Sequence, residues 1–149
     1  MAPYIHHELF SLAADATEYR LLGSDHVTET TFNGSTLLKV EPAALTELAA
    51  EAFRDVSHLL RPTHLSQLAS ILEDGEASDN DRFVAWELLK NANIAAGGIL
   101  PMCQDTGTAI VMAKKGQQVW TGADDEAALS EGILRAYRES NLRYSQVAP

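Results

Sequence analysis

The chain contains one cysteine, Cys103. A single thiol closes no internal disulfide, so the expected compartment is a reducing one, the cytoplasm. Nor can one thiolate hold a structural zinc or an iron–sulfur cluster by itself. If Cys103 is a metal ligand, the other ligands lie on a different stretch of polypeptide. Basic residues are also few: 11 Lys and Arg against 21 Asp and Glu give a formal charge of −10. That balance argues against nucleic acid and anionic membrane surfaces as partners, since both need basic patches. A small anionic substrate stays possible, because its site needs only one or two local cations. No apolar run approaches the roughly 20 residues that cross a bilayer. The opening Met1-Ala-Pro-Tyr-Ile-His-His has neither a basic n-region nor an apolar h-region, so no secretory leader is expected. Internal repeats and low-complexity tracts are absent as well.

What is present suits a soluble globular chain. The 149 residues are 46% hydrophobic and 21% charged, enough for one domain with a core. Residues 1–17 read as irregular. Stretches 18–22, 27–32 and 36–40 are rich in β-branched and apolar residues and read as strands. Asn33-Gly34 between the last two is a strong short-range hairpin signal. Pro42 suits the first turn of a helix running to about residue 60. Its stripe of Leu45, Leu48, Ala49, Phe53, Val56 and Leu60 recurs at three and four. Pro62 breaks that helix. Thr63 is the expected cap of a second helix over 65–72, ended by Gly75. Ser78 is the expected cap of a third, carrying Phe83, Val84, Trp86, Leu88 and Leu89. Beyond Gly97-Gly98 the pattern turns β-like over 108–113 and again over 118–120. Asp124-Asp125-Glu126 then opens a last helix to about residue 138, with its acidic residues in the first turn. The fold class is therefore α+β: an N-terminal β-hairpin region, a layer of about three helices, short strands and a C-terminal helix.

The densest polar cluster is Cys103-Gln104-Asp105-Thr106-Gly107-Thr108, on a loop between helices and a strand. Such a loop is fixed by the element it enters while its backbone stays accessible. A thiolate there suits iron, a soft-ligand metal. A neighbouring amide and carboxylate can bind substrate or move a proton. Taken alone, a lone cysteine is more often a small core residue, and Asp-Thr-Gly is more often a turn. Other polar residues have bland readings. His6 and His7 read as solvated, and His58 and His64 as helix-end residues. Trp86 reads as core on a helix face, and Lys114-Lys115-Gly116 as a solvated hairpin turn. Arg135 and Arg138 suit the last turns of a helix. Asp105-Thr106-Gly107-Thr108 also matches the active-site tripeptide and next residue of dimeric aspartic proteases, in which two carboxylates share a proton. The helices expected over 42–95 argue against those nearly all-β enzymes.

The wider strings are more specific. Gly98-Ile-Leu-Pro-Met-Cys-Gln-Asp-Thr-Gly-Thr-Ala-Ile110, Lys114-Lys-Gly-Gln-Gln-Val-Trp-Thr-Gly122 and Asn141-Leu-Arg-Tyr-Ser-Gln-Val-Ala-Pro149 resemble class I, iron–sulfur-dependent fumarate hydratases. Upstream, Thr17-Glu-Tyr-Arg-Leu-Leu22, Leu37-Leu-Lys-Val-Glu-Pro-Ala-Ala-Leu45, Leu60-Arg-Pro-Thr-His64, Glu76-Ala-Ser-Asp-Asn-Asp81 and Asn93-Ile-Ala-Ala96 resemble the family's long single-chain branch. The resemblance covers nearly all of residues 1–149 and implies a lyase of the tricarboxylic acid cycle that interconverts fumarate and (S)-malate at a 4Fe-4S cluster. Three cysteines hold that cluster, and its fourth iron is open to substrate. Cys103 corresponds to the first of those ligands. Gln104 and Asp105 correspond to pocket residues, with Asp105 the candidate proton donor to the departing hydroxyl. Arg143 corresponds to a residue that grips a substrate carboxylate, a task suited to a two-pronged guanidinium.

The same resemblance implies that this is the N-terminal part of the catalytic domain, cut at its C-terminus. The other two cluster cysteines, the catalytic base and most other carboxylate-binding residues fall in the C-terminal portion. The full-length family tends to form homodimers. The chain alone is expected to be inactive and to expose apolar surface. Two other readings stand beside this one: a related tartrate- or mesaconate-type dehydratase, and a non-catalytic interaction fragment.

Overall fold

The computed structural model describes residues 5, 19–103, 108–140 and 142. Its elements are β1 (Val27–Phe32), β2 (Ser35–Val40), α1 (Pro42–His58), α2 (Pro62–Glu73), α3 (Asp79–Ala95), β3 (Val119–Trp120) and α4 (Asp125–Glu139). The architecture is α+β, as the patterning predicts. β1 and β2 pair antiparallel from Val27↔Val40 to Phe32↔Ser35. The two-residue turn between them places Asn33 at φ 48° and Gly34 at φ 78°. Two successive positive φ values are what a tight hairpin with right-handed strand twist requires, and Asn-Gly tolerates them best. β3 adds to the far side of β2 in parallel, with Leu38 opposite Val119.

The helices form two pairs. α1 packs on α4, and α2 packs on α3. The first pair meets through small residues: Ala49 and Ala50 on α1 and Ala128, Gly132 and Ala136 on α4 are all buried. Gly132 is indispensable to that approach. A Cβ there would lie 2.2 Å from the Thr46 carbonyl oxygen and 2.8 Å from the Ala49 Cβ. The Thr46 hydroxyl crosses the same seam and donates to the Ala128 carbonyl at 2.9 Å. α4 is started by Asp124, whose carboxylate accepts from the Glu126 and Ala127 amides. α3 is started by a reciprocal capping box between Ser78 and Asp81.

Several local expectations change. Residues 19–23 and 108–116 carry no strand. Hydrophobic alternation alone does not form a ladder where no neighbouring strand lies alongside. α2 begins at Pro62 with Arg61 at its cap position, two residues earlier than a Thr63 cap implies. Proline is pre-shaped for that first position, and the helix starts without a side-chain cap. Trp86 is not core: it is 53% exposed, because α3 turns Ala85, Ala92 and Ala95 inward. The four helices also overturn the aspartic-protease reading.

Candidate active site

The loop that carries Cys103 is tied to two helices. α3 ends as Gly98 swings to φ 72°, with the Gly97 and Gly98 amides donating to the Ile94 and Ala95 carbonyls. A glycine takes that left-handed conformation without a Cβ clash and closes the helix. The chain then turns back. The Met102 amide donates to the Ser57 carbonyl at 2.9 Å, in the last turn of α1. The Cys103 amide donates to the Asn91 side-chain oxygen at 3.1 Å, on α3. Ser57 is itself buried, and its hydroxyl donates to the Phe53 carbonyl at 2.6 Å. Cys103 is thus presented at the surface from a backbone held on both sides.

Beneath this loop, Val56, Leu60, His64, Leu68, Leu88, Asn91 and Met102 line a mostly apolar cavity of about 290 Å³. His58, the last residue of α1, is buried close by in sequence. Its Nδ1 lies 2.8 Å from the Arg54 carbonyl, which can only accept, so Nδ1 carries a proton. Its Nε2 is a buried nitrogen with no partner among the described residues.

Gln104, Asp105 and Arg143 lie outside the described residues, so the structure places Cys103 alone among the four predicted site residues. Their flanks are informative. Ala109, just past the motif, and Leu142, the residue before Arg143, both pack on one small core with Ala136, Tyr137, Phe53 and Ile133. Phe53 in turn accepts the Ser57 hydrogen bond described above. The stretches on either side of the predicted site therefore converge on the α1–α4 pair. Among the described residues, no three His, Cys, Asp or Glu side chains are grouped to hold a metal ion. Chemically, Cys103 can offer one thiolate and no more.

Lys115 forms a second polar network. Its ammonium donates to the Thr121 hydroxyl at 3.0 Å and to the Asp125 carboxylate, which also accepts a short hydrogen bond from Thr121. The Lys115 hydrogen bond, then that of Thr121, holds the Asp125 carboxyl below the ordinary carboxylate range. The Lys114-Lys115-Gly116 turn is therefore strapped to the start of α4 through Lys115 rather than simply solvated.

Sequence reasoning missed Asn91 and Ser57, which hold the loop. The only signal for Asn91 was a polar residue among Leu88, Leu89 and Ala92 on a helix. Nothing in the sequence marked Ser57, because it acts through its carbonyl.

Residues 46–149 match the family described as Fumarate hydratase (Fumerase). The chain is 57% identical over 146 residues to the anaerobic class I fumarate hydratase of Escherichia coli strain K12. It is 56% identical over 147 residues to that strain's aerobic class I enzyme, and 57% identical over 134 residues to fumarate hydratase 2 of Leishmania major. These matches cover 98%, 99% and 89% of this chain. The chain belongs to the class I fumarate hydratase family, a family of hydro-lyases. It spans about a quarter of the length of these relatives: 27%, 27% and 24%. No helix among the described residues is long and apolar enough to cross a membrane.

Proposed function

We propose that residues 1–149 are the N-terminal part of the catalytic domain of a class I fumarate hydratase, supplying one ligand and part of the substrate pocket to a site that the remaining polypeptide completes. The observation that carries this reading is Cys103: it stands exposed on a doubly anchored loop inside the region that matches the family. A 4Fe-4S cluster fits Cys103 as one of three thiolate ligands and does not fit this chain alone. Bound there, the cluster would supply a Lewis acid for the substrate hydroxyl. Cys103 would hold one iron. Gln104 and Asp105 follow it directly in the chain and take the family's substrate-binding roles. Asp105 gives a proton to the hydroxyl leaving malate and takes one back from water in the hydration direction. Arg143 grips a substrate carboxylate and fixes the diacid's register.

The substrate is fumarate or malate, and the working assembly is a soluble cytoplasmic homodimer of the completed polypeptide. The isolated chain is inactive. The test is fumarate hydration after anaerobic reconstitution with iron and sulfide, using the chain alone and the chain mixed with the C-terminal portion of the anaerobic Escherichia coli relative. Activity in the mixture only is the expected result. Malate formation by the chain alone would refute the reading. Turnover of tartrate or mesaconate with none of fumarate would reassign the substrate.

A further inference from the structure

α3 carries apolar side chains on two sides. Ala85, Ala92 and Ala95 face inward and are at most 7% exposed. Phe83, Trp86 and Ile94 recur three and eight residues apart on a different face, 62%, 53% and 60% exposed. A helix apolar on both sides belongs to an interior, not a surface. Lys90 and Glu87 lie among these residues and pair with each other, so the face carries no uncompensated charge. Past the helix end, Ile99 and Leu100 extend this run of exposed apolar residues along the chain toward Cys103, itself exposed. The described residues hold no large side chain that is completely buried, so the molecule's apolar layer is unfinished.

We infer that this outer face of α3, with Phe83, Trp86 and Ile94 as anchors, is the docking surface for the C-terminal polypeptide that the chain's longer relatives possess. The inference rests on the reading of the chain as part of a class I enzyme and adds where the completing part sits. The length argues for that occupant. The chain spans 27% of its relatives, so nearly three-quarters of such an enzyme lies outside it. Charge argues against a second copy: two chains of −10 repel. Position supplies the consequence. α3 also holds the Cys103 amide through Asn91, so a polypeptide seated on α3 brings its own ligands to the end of the strip where Cys103 stands. Docking and completion of the site become one event.

The test uses the intact chain with Trp120→Phe, which leaves Trp86 as its only tryptophan. The probe is the C-terminal portion of the anaerobic Escherichia coli class I enzyme, added without iron. The expected result is a blue shift in Trp86 emission and co-elution of the two polypeptides. Phe83→Lys and Ile94→Lys should each weaken association roughly tenfold or more, the loss typical of central apolar anchors. Both side chains are exposed, so circular dichroism should stay unchanged. Thr30→Lys on the hairpin is the control and should bind normally. Unimpaired binding by both α3 variants, or no binding by the parent chain, would overturn the inference. So would a self-dimer of the parent chain that the same variants dissolve, since the occupant would then be a second copy. If docking occurs as described but no cluster can be loaded into the complex, the docking face stands and the cluster reading fails.

Discussion

The two helix pairs are made differently. α1 and α4 close on each other through Ala49, Ala50, Ala128, Gly132 and Ala136, with a side chain-to-backbone hydrogen bond across the seam. α2 has no buried residue at all, and α3 buries only alanines while displaying Phe83, Trp86 and Ile94. One pair is closed by small buried residues, and the other leaves large apolar side chains exposed. The difference shows that a segment's local order and its energetic completeness are separate matters. α3 has the full N-terminal capping box of a stable helix, yet Phe83, Trp86 and Ile94 each leave more than half of their surface exposed and gain correspondingly little from burial.

That contrast can be broken from either side. The largest effect should come from Gly132→Leu. Its Cβ would fall on the Thr46 backbone, which cannot move aside as a flexible side chain could. A loss of about 3 kcal/mol is expected, the upper end of ordinary overpacking costs, read from urea unfolding. Asn91→Leu should cost about 1 kcal/mol through the lost acceptor. It should also speed hydrogen exchange at the Cys103 amide. Asn91→Asp keeps an acceptor oxygen in the same place and should restore protection. Trp86→Lys should change the stability of the chain alone by less than about 0.5 kcal/mol, as for exposed positions, although it sits on a large aromatic. A large loss there would mean that α3 is already packed.

The smallest effect concerns pH. Asp125, paired with Lys115 and Thr121, and Asp81, hydrogen-bonded to Ser78, both have carboxyl pKa values lowered in the folded state. Their contribution is present above the ordinary carboxylate value, near 4, and is lost as pH falls through the lowered folded values. Melting temperature should therefore dip on acidification in that range. Asp125→Asn should shrink the dip modestly, since Asp81 is exposed, Asp125 is only half-buried, and both are screened.

Much of the fold was legible in the sequence where one local rule decides the outcome. Asn33-Gly34 can satisfy two positive φ values, and Ser78 with Asp81 makes a capping box, so the hairpin and α3 were readable from short spacings. The α1 stripe showed its helix but not its partner. Nothing local says that Gly132 of α4, 86 positions from Thr46, must come within contact of it. The parallel addition of β3 to β2 was invisible for the same reason. Trp86 misled because aromatic residues on a helix usually mark the side facing the core, and here α3 turns Ala85, Ala92 and Ala95 to that side instead. At the site, Cys103 was legible through its motif. Its supports were not, since Ser57 acts through a carbonyl and Asn91 through one side-chain oxygen. Cys103, Gln104, Asp105 and Arg143 all keep only their sequence-based roles.

The central claim is that Cys103 belongs to a site this chain shares with the rest of a class I enzyme. Iron content is the most direct measure. The chain and its Cys103→Ser variant would each be mixed anaerobically with the C-terminal portion of the anaerobic Escherichia coli relative, loaded with iron and sulfide, and freed of unbound metal. The account predicts bound iron and sulfide in the parent mixture, loss of most of it with Cys103→Ser, and little in the chain alone. Equal iron in the parent and Cys103→Ser mixtures would contradict it.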